Sequence, residues 1–305
     1  MKGDESAALF DVLCCGMACY DLSFMLASHP ASDEKVSAKR LVMCGGGPAA
    51  NASVAVKRLG GSAAFCGFIA SDHFGTAHLR ELTEAGVDCT LVFQETGSAT
   101  PLSAILVKEN GERCVVNYRE NLSRKPPALP SRLIKFKSLL IDGHEKELSN
   151  QLIEIAKAEG SATVLDAGSV RPSTLDLAEK VDYLICSERF ASDYSGSSDS
   201  SDYLILLTRL NRNVAVTLGS KGCIYIFGSD SGRIPAQEVS VVDTNGAGDA
   251  FHAAFALCIA RGTKPVDALQ CATDVAALTC EKLGGRAGFP TWEEVAARFR
   301  DLDQY

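Results

Sequence analysis

The residues of this chain best suited to chemistry gather in two glycine clusters. In VVDTNGAGDAFHAAFALCIARG (241–262), Asp243, Thr244, Asn245, Gly246, Ala247, Gly248 and Asp249 stand between a β-like VSVV and a strongly helical segment. Glycines let successive backbone N–H groups converge, and a helix starting near Ala247 adds the positive end of its dipole at the same point. Gly246, Ala247 and Gly248 then form an anion hole beside Asp249, which could take a proton from an attacking hydroxyl while the amides stabilise a transferring phosphoryl group. The same residues also suit an ordinary strand-to-helix turn, with Asp243 supporting the turn and Asp249 favouring the dipole.

The second cluster, MCGGGPAANASVAVKRLGG (43–61), also leads into a helix. Gly45, Gly46 and Gly47 allow close approach, and Asn51 offers both donors and acceptors. Asp21 lies five residues after Gly16, just past a strand end, where a carboxylate can accept bonds from two neighbouring hydroxyls. A polyol site and a phosphate site on one sheet edge suggest a kinase.

The elements that must position these residues alternate. DVLCCG, SAAFCGFIAS, FKSLLIDG, ATVLDAG, VDYLICS and NVAVTLG read as short buried strands, with helices at 49–59, 76–85, 147–158 and 203–210 between them. This implies parallel βαβ units, hence an α/β fold with an open sheet covered by helices on both faces and ligands at the carboxyl ends of the strands. Segments 22–43 and 98–118 break the pattern with hairpin-like pieces, Asn110-Gly111 being a two-residue turn signal, and read as a small β-sheet lid on a single domain spanning 1–305. Ser192 to Asp202 reads as a solvated loop, and Trp292, Val295, Phe299 and Leu302 mark an amphipathic closing helix. His73 and His78 ride on a helix start and read as surface residues; His144, in IDGHE at a strand end, faces the proposed cleft.

DTNGAGD at 243–249, GGGPAANASVAVKRLGG at 45–61 and VTLGSKG at 216–222 resemble, in order and spacing, the signatures of the ribokinase-like (PfkB) carbohydrate kinases. The resemblance runs from about Asp11 to the C-terminus. It implies a three-layer α/β/α domain with a mostly parallel central sheet and a β lid, transferring the γ-phosphoryl group of ATP to a sugar or related alcohol. Asp249 matches the catalytic base and Gly246, Ala247 and Gly248 the anion hole. Asp21, Gly46, Gly47 and Asn51 match substrate-binding positions, and Thr217, Gly219 and Gly222 the ATP loop. Asp243 and LGGRAG (283–288) match the region where many members hold a monovalent cation, so K+ is an expected activator; Mg2+ is expected because it travels with ATP. Members commonly carry Asn-x-x-Glu where this chain has Ser187 and Phe190, with Glu188 off register: either it is recruited in their place or it is a surface carboxylate.

GGGPAA, GERCVVNY and ALTCEKLGGRAGFP are further similar to the subgroup that includes bacterial sulfofructose kinases. There a lid Lys and Asn, matching Lys35 and Asn117, help hold an anionic sulfonate, and the position of that subgroup's Arg is here His144. Lys35 also reads as an ordinary solvated charge. The resemblance also makes a lid-to-lid homodimer an expectation.

Composition sets limits on partners. The net charge of −8 argues against a broad electrostatic surface for nucleic acid or anionic membrane, so an anionic ligand needs a local site. The twelve cysteines show no zinc-like pairs, and no run approaches a span of about 20 apolar residues, so the expected setting is a reducing cytoplasm. The leading expectation is a kinase of a small ketose or hexose derivative. A ribose or nucleoside kinase is the alternative, although Phe24 is the only aromatic in 22–43; a catalytically silent sugar- or nucleotide-binding regulator is another.

Overall fold

The computed structural model describes residues 9–108, 112–120, 125–129 and 134–299. In chain order these form β1 (Leu9–Cys15), β2 (Cys19–Leu26), β3 (Arg40–Gly46), α1 (Pro48–Arg58), β4 (Ala63–Ala70), α2 (His73–Glu84), β5 (Asp88–Glu95), β6 (Leu102–Lys108) and β7 (Arg113–Tyr118). They continue through β8 (Lys135–Ile141), α3 (Lys146–Glu159), β9 (Ala162–Ala167), α4 (Pro172–Ala178), β10 (Tyr183–Ser187), α5 (Glu188–Ser195), α6 (Ser200–Leu207), β11 (Asn213–Thr217), β12 (Cys223–Phe227) and β13 (Asp230–Ile234). Helices α7 (Ala247–Ala260), α8 (Pro265–Thr279), α9 (Gly285–Gly288) and α10 (Trp292–Arg298) follow.

A nine-stranded sheet runs in the order β13-β12-β11-β10-β9-β8-β1-β4-β5, parallel from β11 to β5 and closed at one edge by the antiparallel β12 and β13. Its central strands are apolar throughout because both faces are covered. In β1, Val12 and Cys14 face a core shared with α1, α7 and α8, while Leu13 and Cys15 face one built with α3, α4, α5 and α6. The expected three-layer fold is therefore present.

The lid is a four-stranded sheet in the order β3-β2-β6-β7. Strands β2 and β3 are inserted between β1 and α1, and β6 and β7 between β5 and β8. The inner strands β2 and β6 run parallel, so the sheet is mixed. Its strands reach further into the core than the sequence pattern suggests: β2 starts at Cys19 and β3 ends at Gly46. Asn110 and Gly111, and Leu302 at the tail, lie outside the described residues.

Three local readings change. Helix α2 begins at His73 rather than Thr76 because Asp72 caps it, accepting from Gly75 N. His78 is fully buried, not a surface residue, since the face of α2 that carries it packs under the lid. Much of 192–202 is helical: α5 runs to Ser195, where Gly196 at φ 69° ends it, and Asp199 caps α6, which consequently starts at Ser200.

Candidate active site

The order of strands reverses between β1 and β8. From β1 the chain builds outward through β4 and β5, and from β8 in the other direction through β9, β10 and β11. A crevice opens at such a switch point, at the carboxyl ends of the strands. Gly16 and Asp142 terminate the two strands, and any Cβ on Gly16 would run into the Asp142 carboxylate. That carboxylate accepts from Met17 N at 2.8 Å, Ala49 N at 3.2 Å and His144 N at 2.9 Å, so one side chain pins the ends of β1, α1 and β8 together.

Helix α1 starts over this crevice. Gly47 takes φ 97° at its N-cap, with Pro48 preset for the first turn, and the space beside Gly46 is filled by the Asp21 carboxylate. Asn51 projects from the next turn and its Nδ2 donates to Asp249 Oδ2 at 2.7 Å. Asp249 occupies the first turn of α7, whose N-cap Gly246 sits at φ 79° against Gly285. Gly246 and Gly248 thus lie at the start of α7 beside this carboxylate, while Ala247 N donates to the Thr244 carbonyl at 3.4 Å.

Electrostatics suit a base. Burial pushes the Asp249 carboxyl up to about 7, with the Asp166 charge adding to the rise and the Asn51 hydrogen bond and His252 opposing it. A carboxylate near neutrality can take up a hydroxyl proton and release it. Asp21 is also buried and its carboxyl is raised by desolvation, against the pull of Ser103, Cys19 and Arg286.

Strand register places the lid residues. Cys44, Asp21, Ser103 and Asn117 lie opposite one another across β3, β2, β6 and β7, so their side chains share one face of the lid. Asn117 is exposed, and Lys35 is exposed in the loop between β2 and β3. Arg113, on the same face as Asn117, reaches the Asn245 side chain at 3.5 Å, linking lid and anion-hole loop.

His144 is not a free substrate ligand. Arg119 Nη1 and Arg171 Nη1 both come within 2.8 Å of its Nδ1. A guanidinium only donates, so Nδ1 presents a lone pair and the ring stays neutral; burial, opposed by Asp142 and assisted by the two guanidinium charges, brings its pKa down to about 4. Arg119 pairs with Glu145 at 3.0 Å. Arg171 donates to the Asp142 carbonyl, and its Nε is buried with no hydrogen-bond partner among the described residues. The sequence marked His144 and left Arg171, Asp142 and Asp166 unremarked; the only signal for Asp142 was the Asp-Gly pair at a strand end.

Thr217 ends β11, and Gly219 at φ 57° and Gly222 at φ 82° turn the chain into β12, with the Ile234 carbonyl where a Gly222 side chain would be. Ser187, opposite Thr217 in register, caps α5 by accepting from Phe190 N, and Phe190 is buried in the core. Neither replaces the family's Asn-x-x-Glu pair. Glu188 is exposed in the first turn of α5.

Asp243 is buried, accepting from Asn245 N at 2.9 Å and Gly284 N at 2.9 Å, and so ties the anion-hole loop to 283–288. No Lys or Arg pairs with it among the described residues. A buried carboxylate whose partners among the described residues are backbone N–H groups, with no paired cationic side chain, is a group that could hold a monovalent cation. No cluster of three or more His, Cys, Asp or Glu able to hold a metal occurs among the described residues.

A large, mostly parallel sheet with helices on both faces and a small β-sheet lid is the ribokinase-like architecture. Residues 9–292 match the pfkB family carbohydrate kinase model, and the chain belongs to that family. It is an ATP-dependent carbohydrate kinase. Among its relatives, ribokinase of Bacillus subtilis (strain 168) is 28% identical over 284 residues, covering 92% of this chain and 96% of that protein. Fructokinase-1 of Zea mays is 30% identical over 279 residues, covering 82% and 86%. A crystal structure from Agrobacterium tumefaciens, provisionally described as a ribokinase, superposes with a TM-score of 0.90 at 32% identity over 96% of this chain and 98% of the other. Ribokinase of Arabidopsis thaliana complexed with ribose and ATP shares the fold, with a TM-score of 0.82 at 22% identity over 95% and 98% of the chains.

Proposed function

We propose that this kinase transfers the γ-phosphoryl group of ATP to a hydroxyl of a small ketose or hexose derivative carrying an anionic group. The observation that carries the reading is the meeting of Asp249, Asn51 and the Gly246–Gly248 amides at the switch point, with Asp21 on the lid face above. Asp21 and Asn51 hold vicinal hydroxyls of the acceptor, and Asp249 accepts the proton of the attacking one. The amides at the start of α7 stabilise the transferring phosphoryl group. Thr217, Gly219 and Gly222 line the nucleotide, whose charge Mg2+ neutralises when bound, and Asp243 holds K+.

The anionic end follows from charge. Two guanidiniums converge on a neutral His144 beside Asp142, and Arg171 has no carboxylate partner within ion-pair distance among the described residues. Like charges brought together in a crevice repel; Asp142 and Asp166 offset part of the Arg171 charge, and a bound anion relieves the rest. Lys35 and Asn117 approach the same end when the lid closes, excluding water.

The lid's outer face carries Leu41, Met43, Val116 and Tyr118, each about half exposed, and a second copy of the chain covers it in a homodimer. No helix among the described residues is long and apolar enough to cross a membrane, and a cytoplasmic setting suits the free thiols. The test is ADP release with MgATP over a panel of neutral sugars, sugars bearing carboxylate, phosphate or sulfonate groups, and nucleosides. Preference for an anionic sugar supports the reading; preference for a neutral sugar, ribose or a nucleoside replaces it.

A further inference from the structure

Arg286 lies outside the catalytic set, yet it is buried at the centre of a continuous hydrogen-bonded chain. Its Nε donates to Asn51 Oδ1 at 2.9 Å, Nη1 approaches Glu81 Oε2 at 3.3 Å and Nη2 reaches His78 Nε2 at 2.6 Å. Glu81 in turn accepts from Gly45 N at 2.7 Å and from the Tyr20 hydroxyl at 2.9 Å. His78 stays neutral, because burial and the Arg286 charge both disfavour its protonation and the guanidinium requires an acceptor. Space for this arrangement exists because Gly45 has no side chain: a Cβ there would meet Arg286 Nη1 and His78.

The consequence lies in the Asn51 amide. An amide presents oxygen at one end and NH2 at the other, and nothing in its shape decides which end faces Asp249. Arg286 decides it. A guanidinium has no acceptor, so the end facing Arg286 must be the oxygen, and the NH2 then points at the Asp249 carboxylate. With the opposite orientation, a carbonyl oxygen would face the carboxylate and penalise its charged form.

We infer that Arg286 is a positioning residue for phosphoryl transfer: it locks the Asn51 amide so that it donates to the ionised Asp249, and through Glu81 it joins this orientation to the lid strands at Gly45 and Tyr20. The inference rests on Asp249 as the base. The groups facing Asp249 are Asp166 from β9, His252 from its own helix, Asp21 from β2 and Asn51 from α1. Those facing Arg286 are Asn51 from α1, Glu81 and His78 from α2, Cys44 from β3, and Asp21 and Cys19 from β2. Of these, Asn51 is the one shared contact that can invert between donor and acceptor.

The experiment is the pH profile of kcat for Arg286→Met and Arg286→Lys. Arg286→Lys keeps a cation against Glu81 and provides the reading if Arg286→Met does not fold. Both variants are expected to move the acid limb to higher pH by about one unit, so that kcat falls about fivefold near pH 7, approaches about a tenfold loss at lower pH and recovers toward pH 9, with KM for ATP unchanged. A loss that is uniform across pH, or an unchanged kcat, overturns the inference. Asp249→Asn, run in parallel, separates the two levels: if that variant keeps its turnover, the base itself has been misassigned, whereas its inactivation with an unshifted Arg286 profile removes only the role given to Arg286.

Discussion

Asn51 Nδ2 and Asp249 Oδ2 meet at 2.7 Å across 198 positions of sequence. The contact joins the N-terminal ends of α1 and α7, the two helices that begin in glycine clusters, and brings the proposed acceptor-binding and phosphoryl-binding halves of the site to one point. Asp249→Asn is expected to lower turnover by about 10²-fold or more while leaving ATP affinity unchanged, the scale for loss of a general base. Single-turnover kinetics together with nucleotide titration check it.

The same carboxylate makes a prediction about stability whose sign is fixed. Its folded value of about 7 stands above the ordinary carboxylate value of 3.8, so it favours the folded state when protonated and disfavours it once pH rises through 7. Asp249→Asn, neutral at every pH, should therefore be more stable than the parent at pH 8. The gap should narrow as pH falls from about 7 toward 4, measured by thermal melts at several pH values.

Arg171→Met is expected to raise KM for an anionic acceptor by about tenfold, equivalent to about 1.4 kcal/mol, with KM for ATP nearly unchanged. Lys35→Met should act in the same direction if the lid closes on that end. An effect of Arg171→Met alone would place the anion between β8 and β9 and leave Lys35 as a solvated charge.

Gly46→Ala tests the close approach at the end of β3. The added methyl has to displace the Asp21 carboxylate, so KM for the acceptor should rise by about tenfold or more while nucleotide binding is kept. Steady-state kinetics with each substrate varied separately show this.

Removing potassium in favour of a bulky organic cation should slow turnover, because Asp243 joins the anion-hole loop to the 283–288 loop and a bound cation there orders the amides of Gly246 to Gly248. Equal rates in the two buffers would remove the cation from the scheme.

The sequence by itself determined what depends on neighbours along the chain. Glycine at 46, 47 and 246, an Asp one turn into α7 and apolar runs ending in turn residues specify bare backbone, helix starts and a parallel sheet, since each requirement is met within a few positions. Tertiary structure decided which charges meet. His78 looks like a residue on a polar helix start, and becomes buried only because α2 packs under the lid, where Arg286 arrives from 208 positions away. His144 looks like a ligand, and becomes the acceptor for two guanidiniums because Arg119 leaves the lid and Arg171 follows β9 toward the same crevice. No local periodicity encodes such encounters: burial and donor or acceptor partners come from whatever the folded chain places opposite, and they set charge state and amide orientation at the site.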